Sequence, residues 1–244
     1  MRLRLFVIFL PVLFCPFFSR SQSSADDSLI YRAAIANTEQ VYFDRIGDEL
    51  PLYNGRLYYG YPFTFTAGIP FFLSREFRKS SLNYEGLSLE NIPLLYDDLS
   101  EAVITLNRGF WIQLINERLS WFTIEGHHFI RIVVDKSNQD LYGTGFYELL
   151  YEGHTVLLKK MVKRIREELT TNEGILRYVD EYPHYYVKMG NAYFPVNKKK
   201  EMLQVFSDHK KELSQFMRKN KLKFRKDPQG VLTKVTAYYD QIRK

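Results

Sequence analysis

The chain has 244 residues, with 34 Lys and Arg against 28 Asp and Glu, and one cysteine, Cys15. A single thiol excludes an internal disulfide framework and a cysteine-ligated zinc cluster. Aromatic residues make up 16% of the chain, with 18 Tyr and 19 Phe, so a folded core must be packed largely with rings.

Met1-Arg2-Leu3-Arg4 is a short cationic start, and Leu5 to Phe18 is an apolar run. Ser19-Arg20-Ser21 then places small residues at the −3 and −1 positions ahead of a cleavage before Gln22. The run is too short for the roughly 20 residues a spanning helix needs. Residues 1–21 are therefore expected to be a signal peptide, and the protein to be exported: periplasmic, outer-membrane-associated or secreted. Cleavage would remove Arg2, Arg4, Arg20 and Cys15, leaving 223 residues (244 − 21) with net charge +3 (6 − 3) and no thiol.

Gln22 to Asp27 is polar and small, and reads as a flexible mature N-terminus. Asp27 or Ser28 can cap a helix running to about Arg45, with Ile30, Ala34, Val41 and Ile46 near one face. Leu52-Tyr53-Asn54-Gly55 reads as a turn, since Asn-Gly tolerates positive φ.

From Arg56 to Val196 the pattern changes to β-prone runs broken by turn dipeptides. The expected hairpins are 78–84 with 87–96, 102–106 with 110–115, 118–124 with 127–134, 146–151 with 154–160, and 185–189 with 192–196. Turns this tight join antiparallel neighbours, because a parallel crossover needs a dozen or more residues.

The tail returns to helical punctuation. Asn197 can cap a short helix carrying Met202, Val205 and Phe206. Asp208 can cap the next, with Leu213, Phe216 and Met217 inward and Asn220 as a left-handed stop. Asp227-Pro228 opens a last helix, on which Val231, Val235, Tyr238 and Ile242 recur at helical spacing. Residues 197–244 hold 14 Lys and Arg against 5 Asp and Glu, while residues 22–196 hold 17 against 23. An acidic body carrying a basic tail implies either two functional regions or one folded back on the other.

Several segments carry a resemblance: Leu52–Gly55, Tyr58, Tyr61, Gly68–Phe72, Ser81–Gly86 and Asn91–Asp97, then Tyr185–Val187, Tyr193–Val196 and Lys219–Phe224. Together they resemble a family of exported Bacteroidota proteins with no assigned activity, from which Arg75–Phe77 departs where an aromatic, often Trp, is usual. The resemblance implies an envelope or secreted location and a β-rich body with a basic helical end. It transfers no catalytic residue.

Three groups of residues invite chemistry. His127-His128 are adjacent, so on a strand they point to opposite faces and cannot share one ion. His154, His184 and His209 have no ligand spacing, so no metal site is expected. Asp97, Asp98 and Glu101 could serve calcium or a carboxylate-pair hydrolase, but their place between Tyr96 and Ala102 is where a turn needs such residues. Gly143-Thr144-Gly145 precedes a strand instead of opening a helix, and no Gly-x-Ser-x-Gly elbow occurs, so no cofactor and no catalytic residue is assigned. The basic tail is the remaining feature. Lys198–Lys200, Lys210-Lys211 and Arg218–Lys226 alternate with Phe216, Met217, Leu222 and Phe224. Lys219, Lys221, Lys223 and Arg225 are the expected contacts to an anionic membrane surface or an envelope protein. The competing reading is a solvated charge run on helices that pack against the acidic body. Export argues against nucleic acid as the ligand.

The expected fold is α+β: an N-terminal helix, a long antiparallel β-meander forming a curved sheet or sandwich (together 28–196), and a C-terminal helical cap packed on it (197–244). The expected function is a non-enzymatic exported binding or structural module. A carrier or receptor for an apolar or glycan ligand, and a hydrolase, are the alternatives.

Overall fold

The computed structural model describes residues 50–136 and 138–243. The expected signal peptide (1–21), the polar segment 22–27 and the helix expected over 28–45 lie outside the described residues.

Eleven strands form one antiparallel sheet. In chain order they are Arg56–Leu57 (β1), Arg78–Tyr84 (β2), Leu87–Asp97 (β3), Ala102–Asn107 (β4), Phe110–Gln113 (β5) and Leu119–Ile124 (β6). His127–Ile132 (β7), Gly145–Glu152 (β8), Thr155–Thr170 (β9), Gly174–Met189 (β10) and Ala192–Pro195 (β11) complete it. All five expected hairpins are present. Three of them turn on a residue followed by glycine, both at positive φ: Glu85-Gly86, Arg108-Gly109 and Glu125-Gly126. That is the mirror-image turn whose twist matches the flanking strands.

The sheet order is β1-β5-β4-β3-β2-β6-β7-β8-β9-β10-β11. The expected single meander is thus two. One runs from β2 to β5 and the other from β6 to β11, and they join where β2 pairs with β6. Residues 114–118 carry the chain from β5 back to β6; Leu114 N donates to Val103 O, and Glu85 N donates to Arg118 O. The hairpin signals fix neighbours within each meander but carry no information about which strands meet between them.

The sheet is rolled, which settles the choice between curved sheet and sandwich. Tyr96 on β3 and Phe146 on β8 are four strand spacings apart, about 19 Å in a flat sheet. Their ring centroids lie 6.0 Å apart. Phe122 and Phe129 fill the space between them, stacked at 4.8 Å, and all four rings are buried. Full burial of each such ring contributes about 1.5–3 kcal/mol.

One register row crosses this interior: Leu82, Phe122, Phe129, Glu148, Lys159 and Tyr185 stand opposite one another from β2 to β10. The row is apolar as far as Phe129 and then ionic. A segment from Tyr58 to Phe77 straps the rolled sheet. It bonds to β10 through Thr66 N to Arg177 O and Val179 N to Ala67 O, and to β3 through Phe72 N to Tyr96 O. Gly68 allows this approach, since a Cβ there would stand 2.6 Å from Val179 O.

The tail forms three helices: Lys199–Val205 (α1), Lys210–Lys219 (α2) and Pro228–Ile242 (α3). They cover the β9–β10 end of the sheet with Met202, Phe206, Leu213, Met217, Val235 and Tyr239. Two expected caps do other work. Asn197 Oδ1 accepts from Tyr185 N at 2.8 Å, and Asp208 Oδ2 accepts from the Tyr239 hydroxyl at 2.8 Å. Asn220 is not left-handed (φ −91°); Lys221 is, at 54°. Lys221 N donates to Arg218 O and Leu222 N to Met217 O, which is the Schellman pattern with lysine where glycine is usual. On α3 the cap holds: Gly230 N donates to Asp227 Oδ1 at 2.8 Å. Its buried face is Val231, Leu232, Val235, Thr236 and Tyr239. Tyr238 is turned aside to stack on Phe216 of α2, with centroids 4.1 Å apart.

Candidate anion-binding site

Over Lys219–Arg225 the cations alternate with Leu222 and Phe224, as an extended segment with one basic and one apolar face would require. The alternation in burial is present, but the backbone is not extended. After Leu222 the chain turns, with Lys226 N and Asp227 N both donating to Lys223 O. This turn carries Lys223, Arg225 and Lys226 toward the start of α1, where Lys198, Lys199 and Lys200 stand. Between them is a pocket of about 860 Å³, floored by Met217, Leu222 and Phe224. The six cations are all exposed, and among the described residues no carboxylate lines the pocket.

The charge is only partly compensated, because Asp208, Asp227 and Asp240 are committed elsewhere and Glu201 serves Lys198 alone. Asp208 holds the Tyr239 hydroxyl, and Asp227 caps α3. Asp240 Oδ2 accepts from Thr155 N at 2.9 Å and from the Tyr151 hydroxyl at 3.3 Å, fastening α3 to the β8–β9 turn. Glu201 accepts from Lys198 N at 3.0 Å and stands 3.9 Å from the Lys198 ammonium. Among the described residues the other five pocket cations form no ion pair.

Of the four cations singled out from sequence, Lys223 and Arg225 line the pocket; Lys219 and Lys221 are exposed but lie outside it. Lys198–Lys200 and Lys226 complete the lining. Their runs are visible in the sequence. Their convergence is not, because it depends on how the α2–α3 link folds back on α1.

The other candidate residues are built into the interior. Asp97 is fully buried, and its carboxylate accepts from the hydroxyls of Tyr58, Tyr61 and Ser100 and from Leu99 N and Ser100 N. Asp98 pairs with Lys163 at 3.0 Å, and Glu101 pairs with Lys160 while accepting from Phe146 N. The β8–β9 register ends at Glu148 opposite Lys159, so further along β9 only β10 is paired with it. The β3–β4 turn occupies that vacated edge. Lys163 also donates to Ile69 O and Phe71 O, which ties the strap to β9. These lysines carry no sequence signal, since charged residues at 159–168 read as surface.

The adjacent histidines do point apart. His127 Nδ1 lies 2.6 Å from Glu148 Oε1, while His128 stacks on Trp121. His184 stacks on Tyr142, and burial together with nearby Arg164 lowers its pKa below the usual histidine value. Among the described residues no group of three or more His, Cys, Asp or Glu is arranged to hold a metal ion.

No family model, no curated protein and no solved structure matches this chain.

Proposed function

We propose that this chain is an exported, non-enzymatic binding module whose basic pocket engages an anionic lipid surface. The observation that carries the reading is the convergence of six cations from two segments on one pocket with no carboxylate of the described residues in its lining. Like charges held together repel one another, and an anionic partner relieves that repulsion. The apolar floor of Met217, Leu222 and Phe224 favours a lipid headgroup region over a purely acidic protein face. Export is supported by the cationic start and apolar run of residues 1–21 and by the resemblance described above. No helix among the described residues is long and apolar enough to cross a membrane, so on this reading the contact is peripheral.

The test is flotation with phosphatidylcholine vesicles, with and without phosphatidylglycerol. Binding is expected only to the anionic vesicles. It should be lost as salt rises from about 0.1 M to about 1 M, which shortens the Debye length from about 10 to about 3 Å. Each cation near an anionic surface contributes about 1 kcal/mol, so Lys223→Glu with Arg225→Glu should weaken binding by about 30-fold or more. Equal binding by this double variant, with an unchanged melting temperature, would refute the lipid reading. Binding to an acidic protein but to no vesicle would move the site to the other anionic class.

A further inference from the structure

A second groove flanks the short edge pair β1–β5, with a lining unlike that of the basic pocket. One hollow of about 640 Å³ is walled by Tyr58, Tyr59 and Tyr61, with Arg56 and Gln113 at its rim. A second, of about 580 Å³, shares Arg56, Ser100 and Gln113 with the first and continues past Asn54, Asn116 and Glu117. The two hollows are one elongated groove, aromatic at one end and bordered by amides and carboxylates at the other.

The aromatic end is preorganised. Tyr58 and Tyr61 donate to the same Asp97 oxygen at 2.6 and 2.8 Å. Tyr58 also stacks on Trp111, with 13° between the ring planes. Burial, reinforced by the Asp97 carboxylate, drives both hydroxyl pKa values far above the usual tyrosine range, so the pair stays neutral. Arg56 Nε donates to Gln113 Oε1 at 2.9 Å, which holds two planar polar groups side by side across the β1–β5 pair. Tyr59 is different. It is 86% exposed at the mouth of the groove, and among the described residues no ring contact or hydrogen bond of its side chain accounts for its presence. A lone exposed ring is ordinary; one at the lip of a groove with two locked tyrosines behind it is placed to receive something flat.

Charge and shape narrow the ligand. Among the described residues Arg56 is the one cation lining the groove and is already engaged with Gln113, while Glu101 and Glu117 line the same wall, so an anion has little advantage here. A purely apolar ligand would strip water from the Arg56 guanidinium and the Gln113 and Asn54 amides and offer nothing to the polar atoms left over from the Arg56–Gln113 bond, at a cost for each desolvated group. A sugar ring has an apolar face of C–H groups and a rim of hydroxyls that both donate and accept. Tyrosine faces match the first, and planar amide and guanidinium groups match the second. We propose that this groove binds a neutral carbohydrate chain, with a sugar ring stacked on Tyr59 and its hydroxyls bonded to Arg56 and Gln113.

The test is affinity electrophoresis of the full chain through gels containing dextran, laminarin, xyloglucan or galactomannan. Retardation by at least one of these polymers is expected. Tyr59→Ala should weaken that association about ten-fold at an unchanged melting temperature, while Tyr59→Phe should retain it, since the ring face is the contact. Arg56→Ala should weaken it as well. Lys223→Glu with Arg225→Glu should leave it intact, which separates this site from the basic pocket. Migration unaffected by all four polymers, or retardation undiminished in folded Tyr59→Ala, would overturn the proposal.

Discussion

Asp98 shows how much a buried charge depends on its neighbours. Its ammonium partner, Lys163, faces four oxygens: Asp98 Oδ1, Glu181 Oε1, Ile69 O and Phe71 O, all within 3.0 Å. Three ammonium hydrogens cannot serve four acceptors, and Asp98 Oδ1 is the one left without a well-formed hydrogen bond. Burial therefore outweighs the pull of Lys163 and raises the Asp98 pKa from 3.8 to about 7, with the Glu181 charge adding to the rise. An acid whose folded pKa exceeds its unfolded one keeps its proton longer in the folded state. Its favourable contribution is complete below about pH 4 and is lost as pH rises through about 7. The wild-type melting temperature should therefore fall between about pH 4 and 7 relative to that of Asp98→Asn, whose side chain does not titrate. Parallel curves for the two proteins would contradict that pKa. Lys221 offers a second test at this scale. A non-glycine residue in the left-handed region costs about 1–2 kcal/mol, partly offset by the extra freedom glycine gives the unfolded chain. Lys221→Gly should raise stability by roughly 0.5–1 kcal/mol in urea unfolding, and no gain would mean that the cap is strained elsewhere.

At the scale of elements, the sequence is most legible where a single local rule decides the outcome. Glu85-Gly86, Arg108-Gly109 and Glu125-Gly126 place both turn residues at positive φ, and every hairpin they mark is present. Asp227-Pro228 opens α3 for an equally local reason. What is missed is either hidden by composition or dependent on tertiary partners. The hairpin of β9 and β10 runs on to Thr170 and Gly174. Its outer half is dense with Arg and Glu, and that composition hides a strand whose side chains pair across the ladder, as Arg177 does with Glu167 at 2.7 Å. The caps fail for the second reason: Asn197 and Asp208 are good cap residues locally, yet tertiary donors claim them. The docking of α3 can be tested by substitution. Val235 is fully buried against the sheet and the other helices, so Val235→Asp should destabilise the fold by several kcal/mol through an unpaired buried charge. Asp240→Ala should cost about 1–3 kcal/mol, because Thr155 N would lose its acceptor beneath the helix. A change below about 0.5 kcal/mol in both would show that the helical layer is not docked through this face.

For the whole molecule, the question is whether the two meanders are one cooperative unit. Their pairing between β2 and β6 is short and has a register shift between Asn83 and Tyr84, so the ladder alone is a weak seam. Two other features cross it. The rolled interior puts Tyr96 of the first meander against Phe122, Phe129 and Phe146 of the second. The strap and the β3–β4 turn meet β9 at Lys163 and Lys160. The candidate carboxylates Asp98 and Glu101 are thus fasteners between halves, which explains why residues with the look of a catalytic cluster are turned inward. The two tryptophans divide conveniently, with Trp111 on β5 and Trp121 on β6. Single-tryptophan variants, Trp121→Phe and Trp111→Phe, should therefore report on separate meanders. Their urea midpoints are expected to coincide, as they must for one two-state unit. Lys163→Met would leave Ile69 O and Phe71 O without their donor and force Asp98 to keep its proton, costing about 1–3 kcal/mol for each orphaned group, and both tryptophans should register the loss equally. If only the Trp111 signal shifts, the strap serves the first meander alone and the halves unfold separately. A shared shift would instead show that one lysine on β9, invisible as a core residue in the sequence, holds the rolled sheet together as a single cooperative body.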